Sequence, residues 1–190
     1  MDAFLERLSA ATRALRVASP LDPACAVGPM ISADARETAE RATMAARDAG
    51  ASVLMGGARL TESPFADGYY FSPTIMTGVA ADAPLAQEEI FGPVLAVLPA
   101  RDLDEALRLA NGAPYGLSVS LFTRDLNAVL SYLPAIDCGM VRVNGDTTGV
   151  DPHAPFGGMR GSSSHSREQG PAAMEFFTDL KTVQINPAGG

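Results

Sequence analysis

The chain has 190 residues, of which 47% are hydrophobic and 19% charged, and its 22 acidic against 14 basic residues give a formal net charge of -8. This composition suits one globular domain, and the negative charge without any Lys/Arg-rich run argues against a nucleic-acid partner. No apolar run approaches the roughly 18 residues of a membrane span, and the N-terminal residues lack the basic and apolar regions of a leader. We therefore expect a cytoplasmic protein without a membrane partner.

The N-terminal part of the sequence predicts two helices. Apolar residues recur at helical spacing from Phe4 to Leu15, and Pro20 and Pro23 end this first helix. A second helix is predicted from Ser32, which has the side chain of a good N-cap, to about Ala49.

Two extended segments follow. Ser52–Met55 is typical of a short strand, and Gly56-Gly57 of a turn. Tyr69–Met76 is also predicted to be extended, but Pro73 lacks an amide proton, which favours an edge or irregular strand.

The clearest pattern is an alternation of strands and helices in the second half of the chain. Strands are predicted over Val94–Leu98, Ser118–Phe122 and Met140–Val143, and helices over Leu103–Ala110 and Asp125–Ile136. Strands separated by single helices imply right-handed crossovers and a parallel sheet flanked by helices. We therefore expect an α/β fold in one domain.

Local signals support both of these helices. Asp102 and Glu105 form a start that resembles a capping box. In the second helix the apolar positions are Leu126, Val129, Leu130 and Leu133, the spacing of a helix with one apolar face.

The C-terminal segment is predicted to be less regular. A flexible loop rich in Gly and Ser follows Pro155, then a short helix around Ala172–Phe177 and a last strand over Lys181–Ile185. Asn186–Gly190 is expected to fray.

Two segments could carry chemistry. Val143–Phe156 leaves the carboxyl end of a predicted strand, where α/β sheets collect ligands, so it is a candidate pocket wall; a polar surface loop is the alternative. Glu89 could accept hydrogen bonds from ribose hydroxyls and Phe91 could pack on a flat ring; a solvated Glu88-Glu89 pair beside a core phenylalanine is the alternative.

Other constellations point to no site. Ser162–Ser166 places hydroxyls beside His165 without an orienting third group, and Asp151 with His153 lacks further ligands for a metal. Cys25 and Cys138 lie far apart, so no metal or redox pair is expected: Cys25 falls in a turn-rich linker, and Cys138 packs where a helix gives way to a strand. No phosphate-binding glycine motif occurs.

Seven landmarks in series, between about Phe4 and Ile185, resemble the C-terminal part of an NAD(P)-dependent aldehyde dehydrogenase. They are Gly28–Ile31, Gly68–Thr74, Glu88–Val94, Asn111–Leu117, Phe122–Asp125, Val143–Asn144 and Pro155–Gly158. The resemblance implies that residues 1–190 form part of a catalytic domain, with a Rossmann-like parallel sheet flanked by helices and a C-terminal strand of the oligomerisation type. It also implies that the nucleotide-binding domain is absent.

The resemblance implies roles for three residues. Glu89 is similar to the family's ligand for the nicotinamide-side ribose, Phe91 to the aromatic residue that packs near it, and Phe156 to an aromatic wall of the aldehyde pocket. The nucleophilic cysteine, the water-activating glutamate and the oxyanion-binding asparagine of the family have no counterpart here, and Cys25 is not at the nucleophile's position. No catalytic residue and no metal ligand is therefore assigned.

Three loop sequences resemble one branch of the family in particular. Asp146–His153, Gly161–Ser163 and Arg167–Gly170 resemble the branch that acts on 2-oxoglutarate semialdehyde and related sugar-acid intermediates. NAD or NADP is expected in the complete enzyme, with no tight binding to this chain.

Three hypotheses remain open at this point. The chain is an enzyme fragment that is inactive alone and meets an aldehyde substrate only when complemented. Alternatively it is a non-catalytic module that associates with itself or with a dehydrogenase subunit, or a small-acid or nucleotide binding protein. Apolar faces left uncovered by missing layers favour association in either of the first two cases.

Overall fold

The computed structural model describes residues 1–187. They form two compact units, Met1–Arg101 and a second that starts at Asp102. Across the described residues, no helix combines the length and the apolar character needed to cross a membrane.

The first unit begins with the two predicted helices, α1 (Asp2–Arg13) and α2 (Ala33–Asp48). The Ser32 hydroxyl accepts a hydrogen bond from the Ala35 amide at 3.1 Å, which satisfies one of the unpaired donors at the start of α2. The predicted helices and the N-cap are thus confirmed.

The sheet of the first unit is mixed. β1 (Ser52–Met55) runs antiparallel to β4 (Thr74–Thr77), and β4 runs parallel to β5 (Val94–Val97), in the order β1-β4-β5. A separate antiparallel pair joins β2 (Arg59–Leu60) to β3 (Tyr70–Phe71). The short helix α3 (Pro84–Gln87), which the sequence pattern did not predict, lies between β4 and β5 in the chain.

The prediction of an extended segment interrupted at Pro73 is confirmed, since β3 ends at Phe71 and β4 begins at Thr74, but the edge position is wrong for β4. Pro73 precedes β4 instead of interrupting it, so its missing N–H lies outside the ladder, and the next amide, that of Thr74, donates to the Pro93 carbonyl at 2.8 Å. β4 is the central strand, and its Ile75 and Met76 are almost fully buried.

The turn predicted at Gly56-Gly57 is confirmed, and glycine is required there. Both residues have a positive φ, and a Cβ on Gly56 would fall 2.2 Å from the Pro73 carbonyl oxygen. The turn therefore brings β1 close to the start of β4.

The core of the first unit lies where the sheet meets α2. Its buried residues are Ala46, Ala51, Met76 and Val79. The partly buried side chains packed against them are Val53, Ala83, Leu85, Ala86, Val94, Ala96 and Leu98.

The second unit contains the predicted α/β pattern. α4 (Leu103–Asn111) is capped by the Asp102 carboxylate, which accepts from the Glu105 amide at 2.8 Å. β7 (Ser118–Leu121) and β8 (Met140–Val143) are parallel, and α5 (Leu126–Tyr132) connects them. A short antiparallel pair joins β6 (Tyr115–Gly116) to β9 (Met159–Arg160).

α5 differs from its prediction in length and in its buried face. It ends at Tyr132 and not at Ile136, because Pro134 has no N–H to donate to the preceding turn and its ring crowds the carbonyl four residues back. Leu126 and Leu130 are 68% and 62% exposed, so the predicted apolar face is not the buried one.

The parallel strands belong to separate small sheets. β5 pairs with β4, and β7 pairs with β8, so the strands predicted to share one parallel sheet are observed as two parallel pairs. Hydrophobic periodicity identifies a strand but not the strand to which it hydrogen-bonds, which accounts for the difference.

The core of the second unit is formed by Leu107, Tyr132, Ile136 and Cys138, with Leu103, Val119, Leu121 and Val141 packed against it. Burial of the phenol, with repulsion from Cys138, raises the pKa of Tyr132 above its usual value. The predicted packing of Cys138 between a helix and a strand is confirmed.

The C-terminal segment follows the prediction in part. A 3-10 turn at Gly170–Ala172 leads into α6 (Ala173–Phe176), in agreement with the predicted short helix. The strand predicted over Lys181–Ile185 is wrong: residues 181–187 have neither helix nor strand and are exposed, since an extended segment becomes a strand only through a paired ladder. Residues 188–190 of the segment predicted to fray lie outside the described residues.

We expect Ile75→Ala to lower the free energy of unfolding by about 2 to 5 kcal/mol, because Ile75 is 1% exposed and its loss leaves a cavity under the central strand. Its parallel partner Leu95 is 48% exposed, so Leu95→Ala is the matched control and should cost less than about 1 kcal/mol. Urea unfolding followed by circular dichroism measures both. Equal losses would contradict the packing described for β4.

Candidate functional site

Three of the landmark segments meet in the first unit. The Met30 amide donates to the Tyr69 carbonyl at 2.9 Å, which joins Gly28–Ile31 to Gly68–Thr74. The Met30 methyl group would lie 3.0 Å from a Cβ on Gly92, so the third landmark, Glu88–Val94, packs on the same residue. These segments therefore contact one another at Met30, and a larger residue at Gly92 would require the Met30 side chain to shift.

Arg36 of α2 strengthens this junction. Its guanidinium donates to the Gly68 carbonyl at 3.3 Å and lies 5.6 Å from the centre of the Tyr69 ring. The helix thus carries the loop that leads into β3.

The loop between α3 and β5 exposes both candidate cofactor residues. Glu89 is exposed, and Phe91 is 80% exposed with a φ of 50°, in the left-handed region that non-glycine residues rarely adopt. The next residue, Gly92, approaches α2 so closely that its Cβ would lie 3.4 Å from that of Ala39. The alternative of a core phenylalanine is excluded, because Phe91 faces solvent from a backbone anchored on α2.

An apolar groove of about 450 Å³ lies beside this loop, between α2 and α3. Arg41 and Glu88 are its charged residues, and Leu85 and Ile90 are its largest apolar ones. The remaining lining residues are Thr38, Ala42, Ala45, Ala46, Ala49, Ala83 and Pro84.

Phe156 lies in the second unit, where two backbone hydrogen bonds hold it. Its amide donates to the Glu168 carbonyl at 2.6 Å, and the Glu168 amide donates back at 3.0 Å. Phe156 lines a cavity of about 380 Å³. The other lining residues are Gly139, Met140, Val141, Arg142, Val150, Asp151, Ala154 and Pro155. The loop after β8 is therefore a cavity wall, as its place at a strand end predicted.

The start of this loop is fixed by an amide pair between two landmarks. Asn144 has a φ of 56°, and its side chain accepts from the Thr123 amide at 2.9 Å and donates to the Thr123 carbonyl at 2.8 Å. The short polar side chain of asparagine suits this backbone region. The carboxyl ends of β7 and β8 are thereby tied together.

The Pro155–Gly158 landmark is held by a contact between backbones. A Cβ on Gly139 would lie 2.0 Å from the Gly157 carbonyl oxygen and 2.6 Å from the Gly158 Cα. The Gly139 amide also donates to the Gly116 carbonyl at 2.9 Å. Three segments therefore converge where glycine alone fits, directly before the strand that lines the cavity.

Sequence reasoning missed two arginines. The Arg160 guanidinium donates to the carbonyls of Asn111 at 2.6 Å, Asp137 at 2.8 Å and Ala113. Arg142 lines the cavity beside Phe156. A charged residue within the otherwise apolar strand Met140–Val143 was the signal that could have identified Arg142.

The dismissed constellations have ordinary structural explanations. The Asp151 carboxylate accepts from the His153 amide at 2.9 Å and lies 3.4 Å from the His153 Nδ1, which is a turn cap at the surface. The Ser164 and Ser166 hydroxyls lie 3.1 Å from each other. Within residues 1–187, no group of three metal-ligating side chains is found.

Cys25 takes part in the linker after α1. Its thiol donates to the Ala18 carbonyl at 3.3 Å, beside a turn in which the Asp22 carboxylate accepts from the Ala24 amide at 2.9 Å and from Arg16 at 2.6 Å. The backbone donor and then the guanidinium lower the pKa of Asp22 below its usual value. The thiol therefore belongs to a hydrogen-bonded turn, as its linker position predicted.

Comparison with known proteins agrees with the landmarks. The family described as "Aldehyde dehydrogenase family" matches residues 1–183. The chain is 41% identical over 184 residues to the alpha-ketoglutaric semialdehyde dehydrogenase of Bacillus subtilis (strain 168), covering 97% of this chain and 38% of that protein. It is 40% identical over 159 residues to the alpha-ketoglutarate semialdehyde dehydrogenase of Haloferax volcanii, covering 83% of this chain and 33% of that protein.

A solved aldehyde dehydrogenase structure also matches this chain. An aldehyde dehydrogenase of Mycobacterium tuberculosis, complexed with NAD+, superposes with a TM-score of 0.89 at 33% identity, covering 100% of this chain and 38% of that one. The chain thus spans well under half the length of the relatives it matches. The resemblance predicted from the landmarks, including the semialdehyde branch, is confirmed.

We expect Gly139→Ala to destabilise the second unit by about 1 to 3 kcal/mol or more, because the new methyl group overlaps the Gly157 carbonyl and the backbones must separate. Gly145→Ala is the matched control in the loop after β8, since the nearest atom to its Cβ is the Arg142 Cδ at 4.0 Å. Thermal unfolding by circular dichroism compares the two. A midpoint lowered equally by both substitutions would contradict the assigned contact.

Proposed function

Because the chain belongs to the aldehyde dehydrogenase family, we propose that it supplies the C-terminal part of the catalytic domain of an NAD(P)-dependent enzyme that oxidises an aldehyde to the carboxylic acid. The observation that carries this proposal is the loop Glu89–Phe91. It presents a carboxylate and an aromatic ring to solvent from a backbone anchored on α2.

The residues of this loop fit a nicotinamide cofactor. A carboxylate accepts hydrogen bonds from ribose hydroxyls, and an aromatic ring packs on a flat riboside. Phe91 is 80% exposed in a left-handed backbone, an arrangement that costs free energy and gains no apolar burial within the unit. A bound cofactor would supply the hydride acceptor of the reaction. The role of Glu89 and Phe91 is then to orient its riboside.

Phe156 is proposed to be a wall of the aldehyde pocket. Phe156 lines the cavity beside the loop after β8, and two hydrogen bonds with Glu168 hold its backbone in place. Two relatives are named for alpha-ketoglutarate or alpha-ketoglutaric semialdehyde, which supports 2-oxoglutarate semialdehyde as the substrate. The cofactor is proposed to be NAD or NADP, without tight binding to this chain alone.

A second function, as a non-catalytic module that associates with a dehydrogenase subunit or with itself, is favoured by α5. Leu126, Leu130 and Leu133 lie on one helical face and are all exposed. A row of exposed leucines is typical of a surface that another layer covers. Association and catalysis are compatible if the covering layer carries the remaining catalytic groups.

We expect the purified 190-residue chain to reduce neither NAD nor NADP in the presence of a semialdehyde. The family's nucleophilic cysteine has no counterpart in this sequence, and no covalent intermediate can form without it. Absorbance at the wavelength of the reduced cofactor measures the rate. Cofactor reduction that disappears in Cys25→Ser would contradict the proposal and assign the nucleophile to Cys25.

We expect activity to appear when the chain is co-expressed with the segment of a relative that carries the nucleotide-binding domain and the nucleophile. In that assembly Glu89→Gln should lower kcat roughly 10-fold or more, because the riboside is held less firmly for hydride transfer. Glu88→Gln, which alters the neighbouring carboxylate, is the control.

Phe156→Ala in the same assembly should change the ratio of kcat/KM values between aldehydes more than it changes the activity itself, since it enlarges one pocket wall. Phe177→Ala removes another aromatic ring of the second unit, one that is 72% exposed, and is the control. Steady-state kinetics with several aldehydes measures these ratios of kcat/KM values. Active assemblies indifferent to Glu89→Gln and Phe156→Ala would refute the assigned roles.

A further inference from the structure

The cavity beside Phe156 contains a cation in an otherwise apolar strand. Arg142 is the third residue of β8, whose other members are Met140, Val141 and Val143. Arg142 is partly buried, and it lines the cavity together with Phe156. Placing a guanidinium at a cavity wall lined by methionine, valine and phenylalanine costs desolvation free energy that an ordinary surface arginine does not pay.

One hydrogen bond positions the Arg142 guanidinium, but most of its N–H donors lack a partner among the described residues. Its Nη2 donates to the carbonyl of Gly149, which belongs to the loop after β8. Among the hydrogen bonds of residues 1–187, this is the one that its guanidinium makes, although a guanidinium carries five N–H donors. Its other N–H donors make no hydrogen bond among these residues.

The nearest acidic lining residue does not neutralise Arg142. Asp151 also lines the cavity, but its carboxylate accepts from the His153 amide at 2.9 Å and faces the His153 ring at 3.4 Å. No ion pair between Asp151 and Arg142 occurs among the described residues. The cavity therefore combines an aromatic wall with an uncompensated, planar cation.

We propose that Arg142 binds the carboxylate of a short aldehyde acid, whose carbon chain packs along Phe156. A guanidinium forms two parallel, charge-assisted hydrogen bonds with a carboxylate, and these are stronger in a partly desolvated site than in water. The cavity of about 380 Å³ is of the size that takes a small organic acid. This inference rests on the proposed function, and it assigns the binding of the substrate's carboxylate to one residue, Arg142.

A purely structural role makes a different prediction. If Arg142 served only to hold the loop through the Gly149 carbonyl, its substitution would affect every substrate alike and would lower stability. If it binds a carboxylate, its substitution distinguishes charged from neutral ligands. Arg142→Gln can still donate a hydrogen bond, whereas Arg142→Lys keeps the charge and loses the planar fork.

The first test uses the chain itself and requires no activity. Chain labelled with nitrogen-15 in its arginines is titrated with 2-oxoglutarate, a stable dicarboxylate probe, and the side-chain Nε signals are followed by NMR. We expect one signal to shift saturably, to be absent in Arg142→Gln and to persist in Arg124→Gln, which removes an exposed arginine of the same unit. No saturable shift, or the same shift in Arg142→Gln, would overturn the proposal.

The second test uses the co-expressed assembly and compares 2-oxoglutarate semialdehyde with a neutral aldehyde of equal chain length. We expect Arg142→Gln to lower the ratio of their kcat/KM values roughly 10- to 100-fold, with partial recovery in Arg142→Lys. Equal losses with both aldehydes would overturn the proposal in favour of a structural role. An assembly inactive with every aldehyde would refute the proposed function, and the titration would still decide the role of Arg142.

Discussion

The second unit depends on one place where two backbones touch without any side chain between them. At Gly139 the chain passes from the core of the helical layer into β8, and the carbonyl of Gly157 occupies the volume that a Cβ would fill. That contact determines how deeply the segment carrying Phe156 can lie against β8. The cavity between them has its shape because the two segments approach at backbone distance, which is a steric constraint rather than a strong bond.

The first unit uses the same device at Gly92, with a different result. There the backbone at Gly92 lies close to Met30 and Ala39, and the side chain of the preceding residue, Phe91, lies in solvent. Phe91 is exposed although it is large and apolar. In both units a close contact at a glycine lies next to a phenylalanine that we propose to contact a ligand: Phe91 precedes Gly92, and Phe156 precedes Gly157.

Much of the local structure could be predicted from the sequence, because its causes are local. The cap at Ser32, the strand Ser52–Met55 and the strand Met140–Val143 follow from a side chain's own hydrogen bond or from a run of apolar residues. The buried face of α5 and the place of β4 in its sheet could not be predicted in the same way. They depend on which element lies opposite, and periodicity carries no information about the partner.

At the candidate site, too, some residues could be predicted from the sequence and others could not. Glu89, Phe91 and Phe156 were identified through a series of landmarks, whose spacing is specific, whereas a lone carboxylate or ring in a loop has no distinguishing pattern. Arg142 was overlooked because one charge within a strand is usually a solvent-facing residue. Only the three-dimensional structure places Arg142 and Phe156 along one cavity.

Arg160 has a consequence for the order in which the second unit can form. Its guanidinium satisfies carbonyls that lie 49, 47 and 23 residues earlier in the chain, including that of Asn111 at the end of α4. Bonds of such long sequence separation cannot form until the loop has been closed, so they come late in folding. During synthesis on the ribosome, the Asn111 carbonyl at the end of α4 therefore hydrogen-bonds to water until Arg160 has been synthesised.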